Sequence, residues 1–238
     1  MTAPHTPPSA TTPAGTTPAY ETLSALLHTR YSCRAFLPQA LDRATIDRVL
    51  AAAQRTASWC NAQPWQLTIA SGATLARLRS ALQAHVATEP PAPDLPWPRE
   101  YRGVYQERRR ECGWGLYEAL GIAKGDREAS ARQAAQNFTM FGAPHVAIVT
   151  SDEALGVYGA VDCGAYVGNF MLAAHSLGVG SIAQAAPDYR RHDARPRQGR
   201  KRFWRGGIGG ERGATAHRHH LVHRPDRYRA AHPDVQGI

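Results

Sequence analysis

The chain has 238 residues, of which 43% are hydrophobic and 20% are charged, a composition typical of one globular domain or two small ones. No stretch approaches the roughly 18 apolar residues of a membrane-spanning helix, and the N-terminus lacks the basic and apolar regions of a secretion signal. These features predict no membrane span and a cytoplasmic location. The cysteines lie far apart without a C-x-x-C pair, which predicts buried or incidental thiols rather than a metal site or a disulfide scaffold (Cys33, Cys60, Cys112 and Cys163).

The formal net charge is +9, and it is distributed unevenly along the chain. Residues 1–186 contain 15 basic and 14 acidic side chains, whereas residues 187–238 contain 13 and 5. The second stretch also holds only six Leu, Ile, Val or Phe residues, about 12% of its length, which is below the roughly 20% typical of segments that form a core. We therefore predict a disordered leader over 1–20, a globular body over 21–186 and a basic, core-poor tail over 187–238.

The first half of the body alternates helical and extended patterns. Leucines at helical spacing predict a short helix over 22–30, and Asp42 is the predicted N-cap of a second helix. Residues 66–71 alternate apolar and polar side chains as a strand does, and a third helix with one apolar face follows them. Five prolines between residues 89 and 98 predict a loop, which we interpret as a candidate lid. The apolar stripes are Ile46, Val49, Leu50 and Ala53 in the second helix and Leu75, Leu78, Leu82 and Val86 in the third.

The second half of the body contains two strand patterns among helices. Amphipathic helices are predicted over 99–120 and 126–138, and short β-branched runs predict buried strands over 145–150 and 181–185. Residues 157–177 are apolar on nearly every side of a helix and include many small residues. Such a helix is buried, either in the core or in a subunit interface.

A first candidate binding segment follows the first predicted helix and reads Arg30-Tyr31-Ser32-Cys33-Arg34. Two guanidinium groups with a hydroxyl between them can converge on a phosphate, because arginine donates in a fork that matches phosphate oxygens. The alternative is a pair of solvated arginines, the commoner situation for this pattern taken alone.

A second candidate segment, residues 58–65, lies between the second helix and the first strand and reads S-W-C-N-A-Q-P-W. Polar amides flanked by indole rings, in a loop stiffened by Pro64, suit a planar heteroaromatic ligand with a polar edge and an apolar face. The alternative, which these residues leave equally open, is a helix C-terminus followed by core tryptophans.

Together and in this order, the two segments resemble the nitroreductase family of flavin-dependent oxidoreductases. The resemblance extends to Asn137-Phe138 before residues 142–144, to the apolar helix and to residues 178–184, so that it covers about residues 21–186. Residues 113–117 and 125–127 are similar to the nitrobenzoate-reductase-like branch. The resemblance implies an α+β fold, with a central, mainly antiparallel sheet flanked by helices and an atypical C-terminal part.

The resemblance also implies an FMN site. The matching positions are Arg30, Tyr31, Ser32 and Arg34 for the phosphate, and Ser58, Trp59, Asn61, Gln63, Asn137, Ser181 and Ile182 for the flavin. It implies that the amides of the second segment come from a neighbouring subunit and that Asn137 meets the polar edge of the ring. It assigns no firm role to Ala183 or Gln184. No catalytic side chain and no metal are predicted, because the flavin carries the chemistry.

The predicted function is that of an FMN-dependent oxidoreductase, in which NAD(P)H reduces the flavin and a nitroaromatic, quinone or similar small molecule takes up the electrons. The predicted assembly is a homodimer with an interface on the helix over 157–177. The alternative is a nucleic-acid-binding protein that uses the arginine-rich tail. Nucleic acid is the less favoured partner, because the body is nearly neutral and the tail has few aromatic residues.

The tail departs from the family pattern, in which the chain continues to another strand and to an arm around the partner. Residues 197–207 are instead rich in arginine and glycine. A shift of reading frame near Ala186 would produce such a mixture, and a genuine basic appendage is the alternative. The frame-shift hypothesis predicts that the sheet lacks an edge strand and that FMN lacks one phosphate ligand. The tail's histidines are not predicted to bind a metal (His217, His219, His220 and His223).

Overall fold

The computed structural model describes residues 17–91 and 93–185, and it describes the backbone of a strand over residues 215–221. The described helices are α1 (Pro18–Thr29), α2 (Arg43–Ala53), α3 (Gly72–Thr88), α4 (Val104–Ala119), α5 (Arg127–Ala135) and α6 (Gly156–Ser176). The described strands are β1 (Gln66–Ser71), β2 (His145–Ser151), β3 (Ser181–Gln184) and β4 (Thr215–Leu221). Short 3₁₀ turns occur at Trp59–Asn61, Met140–Gly142 and Glu153–Leu155.

The four described strands form one antiparallel sheet in the order β1-β2-β4-β3. In the β1–β2 ladder, Gln66 pairs with Thr150 and Ser71 with His145. The predicted α+β fold with an antiparallel sheet is confirmed. The strands β1, β2 and β3 and the helix α6 match their predicted bounds to within one residue.

Strand β4 lies inside the predicted core-poor tail. It is an interior strand of the sheet, paired with β2 on one side and with β3 on the other, so the expected lack of an edge strand stays a prediction. This pairing is possible because a ladder uses main-chain N–H and C=O groups, which every residue except proline supplies. The other parts of the tail, residues 187–214 and 222–238, lie outside the described residues, as do Ala186 and residues 1–16 of the predicted leader.

Two helices begin several residues away from their predicted first residues. Helix α1 begins at Pro18, inside the predicted leader, because the Thr17 hydroxyl accepts the N–H of Tyr20 at 3.3 Å and proline suits the first helical turn. Helix α4 begins at Val104 rather than at residue 99, because Gly103 has a φ of +52° and interrupts the helical backbone.

The main core lies where α2 and α6 pack on the sheet. Val49 of α2, Val149 of β2 and Phe170 of α6 are almost completely buried. The indole of Trp65 stacks on the ring of Tyr166, with 4.9 Å between the centroids and 28° between the planes. Burial raises the pKa of Tyr166 to about 12, so this phenol stays protonated across the physiological range. Through this stacking contact, helix α6 packs the loop before β1 against the core.

Within the described ranges, no helix combines the length and hydropathy needed to cross a membrane. Residues of the same ranges form no group of three or more His, Cys, Asp or Glu side chains suited to a metal ion. The four cysteines are free thiols, of which Cys33 and Cys163 are buried and Cys60 and Cys112 exposed. The side chains of the tail histidines lie outside what the structure describes.

Candidate active site

The first candidate segment leaves α1 and runs beside strand β3. The Arg30 N–H closes the helix on the Leu26 carbonyl at 3.0 Å, and the chain then extends. Ser32 forms an isolated parallel bridge with Ser181, and the Cys33 N–H donates to the Ser181 carbonyl at 3.1 Å. The structure thus brings together two sets of predicted site residues that lie about 150 positions apart in the sequence.

The two arginines of this segment have few hydrogen-bond partners in the part of the chain that the structure describes. The Arg30 guanidinium is partly buried, and its Nη1 atom is shielded from solvent with no hydrogen-bond partner among the described residues. Arg34 makes one long hydrogen bond, from Nη1 to the Ser32 carbonyl at 3.4 Å. Tyr31 lies between them and is partly buried, whereas the Ser32 side chain is exposed. A shielded guanidinium nitrogen without an acceptor, next to a second cation and a hydroxyl, fits an anionic phosphate.

Cys33, the buried residue of this segment, has a structural role. Its thiol donates to the Ala35 carbonyl at 3.0 Å, and its side chain is 1% exposed. Burial raises the pKa of the thiol, so it stays protonated and unreactive near neutral pH. It anchors the segment and leaves ligand contacts to its neighbours.

Asn137 and strand β3 also meet in the structure. The Gln184 Nε2 donates to the Asn137 Oδ1 at 2.7 Å, and the Asn137 Nδ2 donates to the Ala134 carbonyl at 2.9 Å. Gln184 is 8% exposed. Gln184, which the resemblance left without a role, therefore joins Asn137 to β3, the strand that contains Ser181 and Ile182.

The second candidate segment forms a tight turn with an unusual backbone. Cys60, Asn61 and Gln63 have φ values of +49°, +53° and +45°, in the left-handed region that residues other than glycine rarely adopt. The Ser58 hydroxyl accepts the Gln63 N–H at 2.9 Å. Left-handed residues of this kind cluster at ligand-binding sites, where the surrounding contacts hold them in place.

Asp162 of α6 accepts a hydrogen bond from the backbone of this turn, and the sequence analysis did not identify it. Both of its carboxylate oxygens accept the Trp59 N–H at 3.2 Å, and the side chain is 9% exposed. One signal could have identified it, because Asp162 is the single acidic residue within α6. A buried carboxylate in an apolar helix requires a donor partner.

Gln54 is a second residue that the sequence analysis missed. It follows the last residue of α2, and its amide bonds to both Trp65 and Gln63. No sequence pattern marks it, because an exposed glutamine after a helix is ordinary.

The two candidate segments lie near opposite ends of α6 within one chain. Asp162 contacts the turn at Trp59, whereas His175 contacts Thr29 at the end of α1, with 2.8 Å between Nε2 and Oγ1. The two α6 positions are separated by about 20 Å along the helix axis. We refer to residues 30–34 as the phosphate segment and to residues 58–65 as the amide turn.

An exposed apolar surface adjoins the amide turn. The rings of Trp59 and Tyr158 lie 5.3 Å apart, and both side chains are more than 60% exposed. Val157 and Val161 continue this surface along α6, with 72% and 62% of their area exposed. We refer to these four residues as the α6 surface.

Comparison with known proteins places the chain in a family. The family described as the nitroreductase family matches residues 27–197. Nitroreductase NfnB of Mycolicibacterium smegmatis is 36% identical over 162 residues, which are 67% of this chain and 69% of that protein. The 4-nitrobenzoate reductase of Pseudomonas putida is 32% identical over 163 residues, or 68% and 71% of the two chains.

A solved structure agrees with these relatives. The FMN-dependent nitroreductase NfnB from Mycobacterium smegmatis, in complex with NADPH, superposes with a TM-score of 0.75 at 28% identity, covering 88% of this chain and 90% of that one. The chain belongs to the nitroreductase family.

Proposed function

We propose that this chain is an FMN-dependent oxidoreductase that takes electrons from NAD(P)H and delivers them to nitroaromatic, quinone or similar small-molecule acceptors. The observation that carries the proposal is the shielded Nη1 of Arg30, which has no acceptor within the described residues and lies in the same segment as Ser32 and Arg34. The NfnB structure that superposes on this chain is that of an FMN-dependent nitroreductase in complex with NADPH, which supports FMN and NAD(P)H as the redox partners here.

Each side chain of the proposed site has a binding role. Arg30, Ser32 and Arg34 would hold the phosphate by charge-assisted hydrogen bonds, with Tyr31 alongside. Ser58, Trp59, Asn61 and Gln63 would line the flavin, and Asn137 would meet its polar edge. Bound FMN supplies the transfer of hydride and electrons, so the protein's task is to bind and orient.

The proposed site is shared between two copies of the chain. The phosphate segment and the amide turn are far apart along α6, and the α6 surface beside the turn exposes four large apolar side chains. A second copy packed on this surface would cover it and bring its own amide turn to the first copy's phosphate segment.

Exposed aromatic side chains in the proline-rich loop and in and near α4 support the proposal that the electron acceptors are aromatic molecules. Trp97, Tyr101, Tyr105 and Trp114 are each between 44% and 66% exposed. Exposed aromatic rings provide stacking surfaces for planar molecules with electron-poor rings.

The absorption spectrum of the purified protein tests the cofactor. We expect a yellow protein with flavin absorption, and release by heat of FMN rather than riboflavin or FAD. Anaerobic addition of NADPH or NADH is expected to bleach the spectrum, and a nitroaromatic is expected to restore it. A protein that stays colourless after incubation with excess FMN and gel filtration would contradict the proposal.

A further inference from the structure

Four side chains around the amide turn form a continuous chain of hydrogen bonds, which we call the amide relay. The Trp65 Nε1 donates to the Gln54 Oε1 at 3.0 Å, and the Gln54 Nε2 donates to the Gln63 Oε1 at 2.8 Å. The Gln63 Nε2 then donates to the Asn61 Oδ1 at 2.8 Å. The relay therefore begins in the core and ends in the exposed turn.

The chemistry of the first member fixes the direction of the whole relay. An indole nitrogen can only donate, so the Gln54 atom that faces Trp65 has to be the carbonyl oxygen. The Gln54 amide therefore turns its NH₂ group to Gln63, which in turn has to present its oxygen. By the same alternation, the Gln63 NH₂ group donates to the Asn61 oxygen. The NH₂ group of Asn61 then faces outward.

The beginning of the relay is held rigidly. Trp65 is 7% exposed and stacks on Tyr166, and Gln54 is fixed through its backbone N–H, which donates to the Leu50 carbonyl at 2.9 Å. At the other end, the Asn61 Nδ2 makes no hydrogen bond within the described part of the chain. Through the relay, the donor-only indole of Trp65 therefore determines that Asn61 presents its NH₂ group, a hydrogen-bond donor, at the turn.

We propose that Gln54 is a positioning residue that makes Asn61 a hydrogen-bond donor toward an acceptor atom on the polar edge of FMN. This inference rests on the proposed function, because it takes FMN as the ligand of the turn. The partner of the Asn61 NH₂ group is then an acceptor atom and not the flavin N3–H, because an NH₂ group cannot accept that proton.

The substitution Gln54→Glu reverses the relay with little change in shape. A carboxylate still accepts the Trp65 indole N–H, but its second oxygen can only accept from Gln63. Gln63 then turns its oxygen to Asn61, and Asn61 turns its own oxygen to the ligand. The substitution Gln83→Glu, at an exposed position of α3, is the matched control for the added charge.

Two measurements separate direction from stability. In the flavin-free protein, nitrogen-15 NMR is expected to show that the Trp65 indole N–H is still hydrogen-bonded in Gln54→Glu and that the Asn61 side-chain amide signals are shifted. Fluorescence titration is expected to show FMN binding weakened about tenfold in Gln54→Glu, because Asn61 loses its hydrogen bond to FMN and turns an oxygen toward an acceptor atom of the flavin. FMN binding is expected to be unchanged in Gln83→Glu.

The possible results have distinct meanings. If the wild-type chain binds FMN and Gln54→Glu binds it as tightly as Gln83→Glu, the relay does not orient Asn61 and the inference is wrong. If the Asn61 amide signals do not move in Gln54→Glu, the inference is equally overturned, whatever the affinity. A wild-type chain that binds no FMN overturns the proposed function, and with it the ligand assigned to Asn61.

Discussion

Arg30 illustrates how a single side chain can reveal a missing partner. Its guanidinium is partly buried, yet one of its terminal nitrogens has no acceptor within the described residues. A shielded donor without a partner is unfavourable unless a ligand supplies the acceptor. The same reasoning applies less strongly to Arg34, which has one long bond to a carbonyl.

We expect Arg30→Ala and Arg34→Ala each to weaken FMN binding by roughly 1.5 to 3 kcal/mol, because each removes a charge-assisted contact to phosphate. Titration with FMN and with riboflavin, which has no phosphate, measures the effect. The control is Arg43→Ala, since that side chain is 84% exposed and pairs with Asp47 on the surface. Equal losses for FMN and riboflavin would show that these arginines do not hold the phosphate.

His145 gives the fold a dependence on pH. Its Nε2 accepts the Leu41 N–H at 2.8 Å, and its Nδ1 is shielded from solvent without a partner in the described part of the chain. Burial lowers the pKa of the imidazole below its ordinary value of 6.5. Below that pH the unfolded chain takes up a proton that the folded chain does not, so the stability that is present above pH 6.5 is lost as the pH falls toward the folded-state pKa.

We therefore expect the urea concentration at the unfolding midpoint to decrease when the pH is lowered from about 7.5 to about 5.5. The decrease is expected to be smaller in His145→Gln. Glutamine places an acceptor near the Nε2 position but does not titrate. His28→Gln, at an exposed position of α1, serves as the control. The same slope with pH in all three proteins would mean that His145 is not responsible.

At the scale of elements, α6 combines two functions on its buried face. Its inner face carries buried residues such as Cys163, Tyr166 and Phe170, which pack in the core. Its N-terminal half also supplies Asp162 as the acceptor for the amide turn. The turn contains three left-handed residues, so it depends on such contacts to keep its shape.

We expect Asp162→Ala to lower the free energy of unfolding by about 1 to 3 kcal/mol, because it leaves the Trp59 N–H without its acceptor. Urea denaturation measures the loss. Asp47→Ala, which removes an exposed carboxylate paired with Arg43, is expected to change stability by less than about 0.5 kcal/mol. Equal effects of the two substitutions would show that the turn does not need its contact with α6.

At the scale of the whole molecule, the α6 surface predicts a dimer. We expect the wild-type chain to sediment as a dimer at micromolar concentration and Val161→Arg to sediment as a monomer, because a charge there cannot be buried without a partner. Ala76→Arg, at an exposed position of α3, is expected to remain a dimer. A monomeric wild-type protein would contradict the shared site as well as the dimer.

The basic tail leads to the last prediction. If residues 187–238 arise from a shifted frame, resequencing across codon 186 and the intact mass of the natural protein will give a different C-terminal sequence. Strand β4 does not decide this question, because main-chain pairing is open to many sequences. An unshifted frame would refute the hypothesis, and binding of nucleic acid that weakens steeply with salt would favour a genuine basic appendage.

Much of the fold was predictable from the sequence because its signals are local. Asp42 caps α2 and Asp126 caps α5 by accepting N–H groups three residues further on, as their side chains favour. The alternating residues of β1 and the short apolar run of β2 gave their bounds almost to the residue. The candidate site residues were proposed through a family resemblance, and their roles remain predictions.

Only the tertiary structure decided which of these segments meet. The bond between Trp59 and Asp162 spans 103 residues, and the bridge between Ser32 and Ser181 spans still more, so no local pattern encodes either. The amide relay likewise needs α2, the turn and the core indole in one place. Local sequence determines which backbone shapes are favourable, whereas the partners of buried polar groups depend on how the elements pack around the common core.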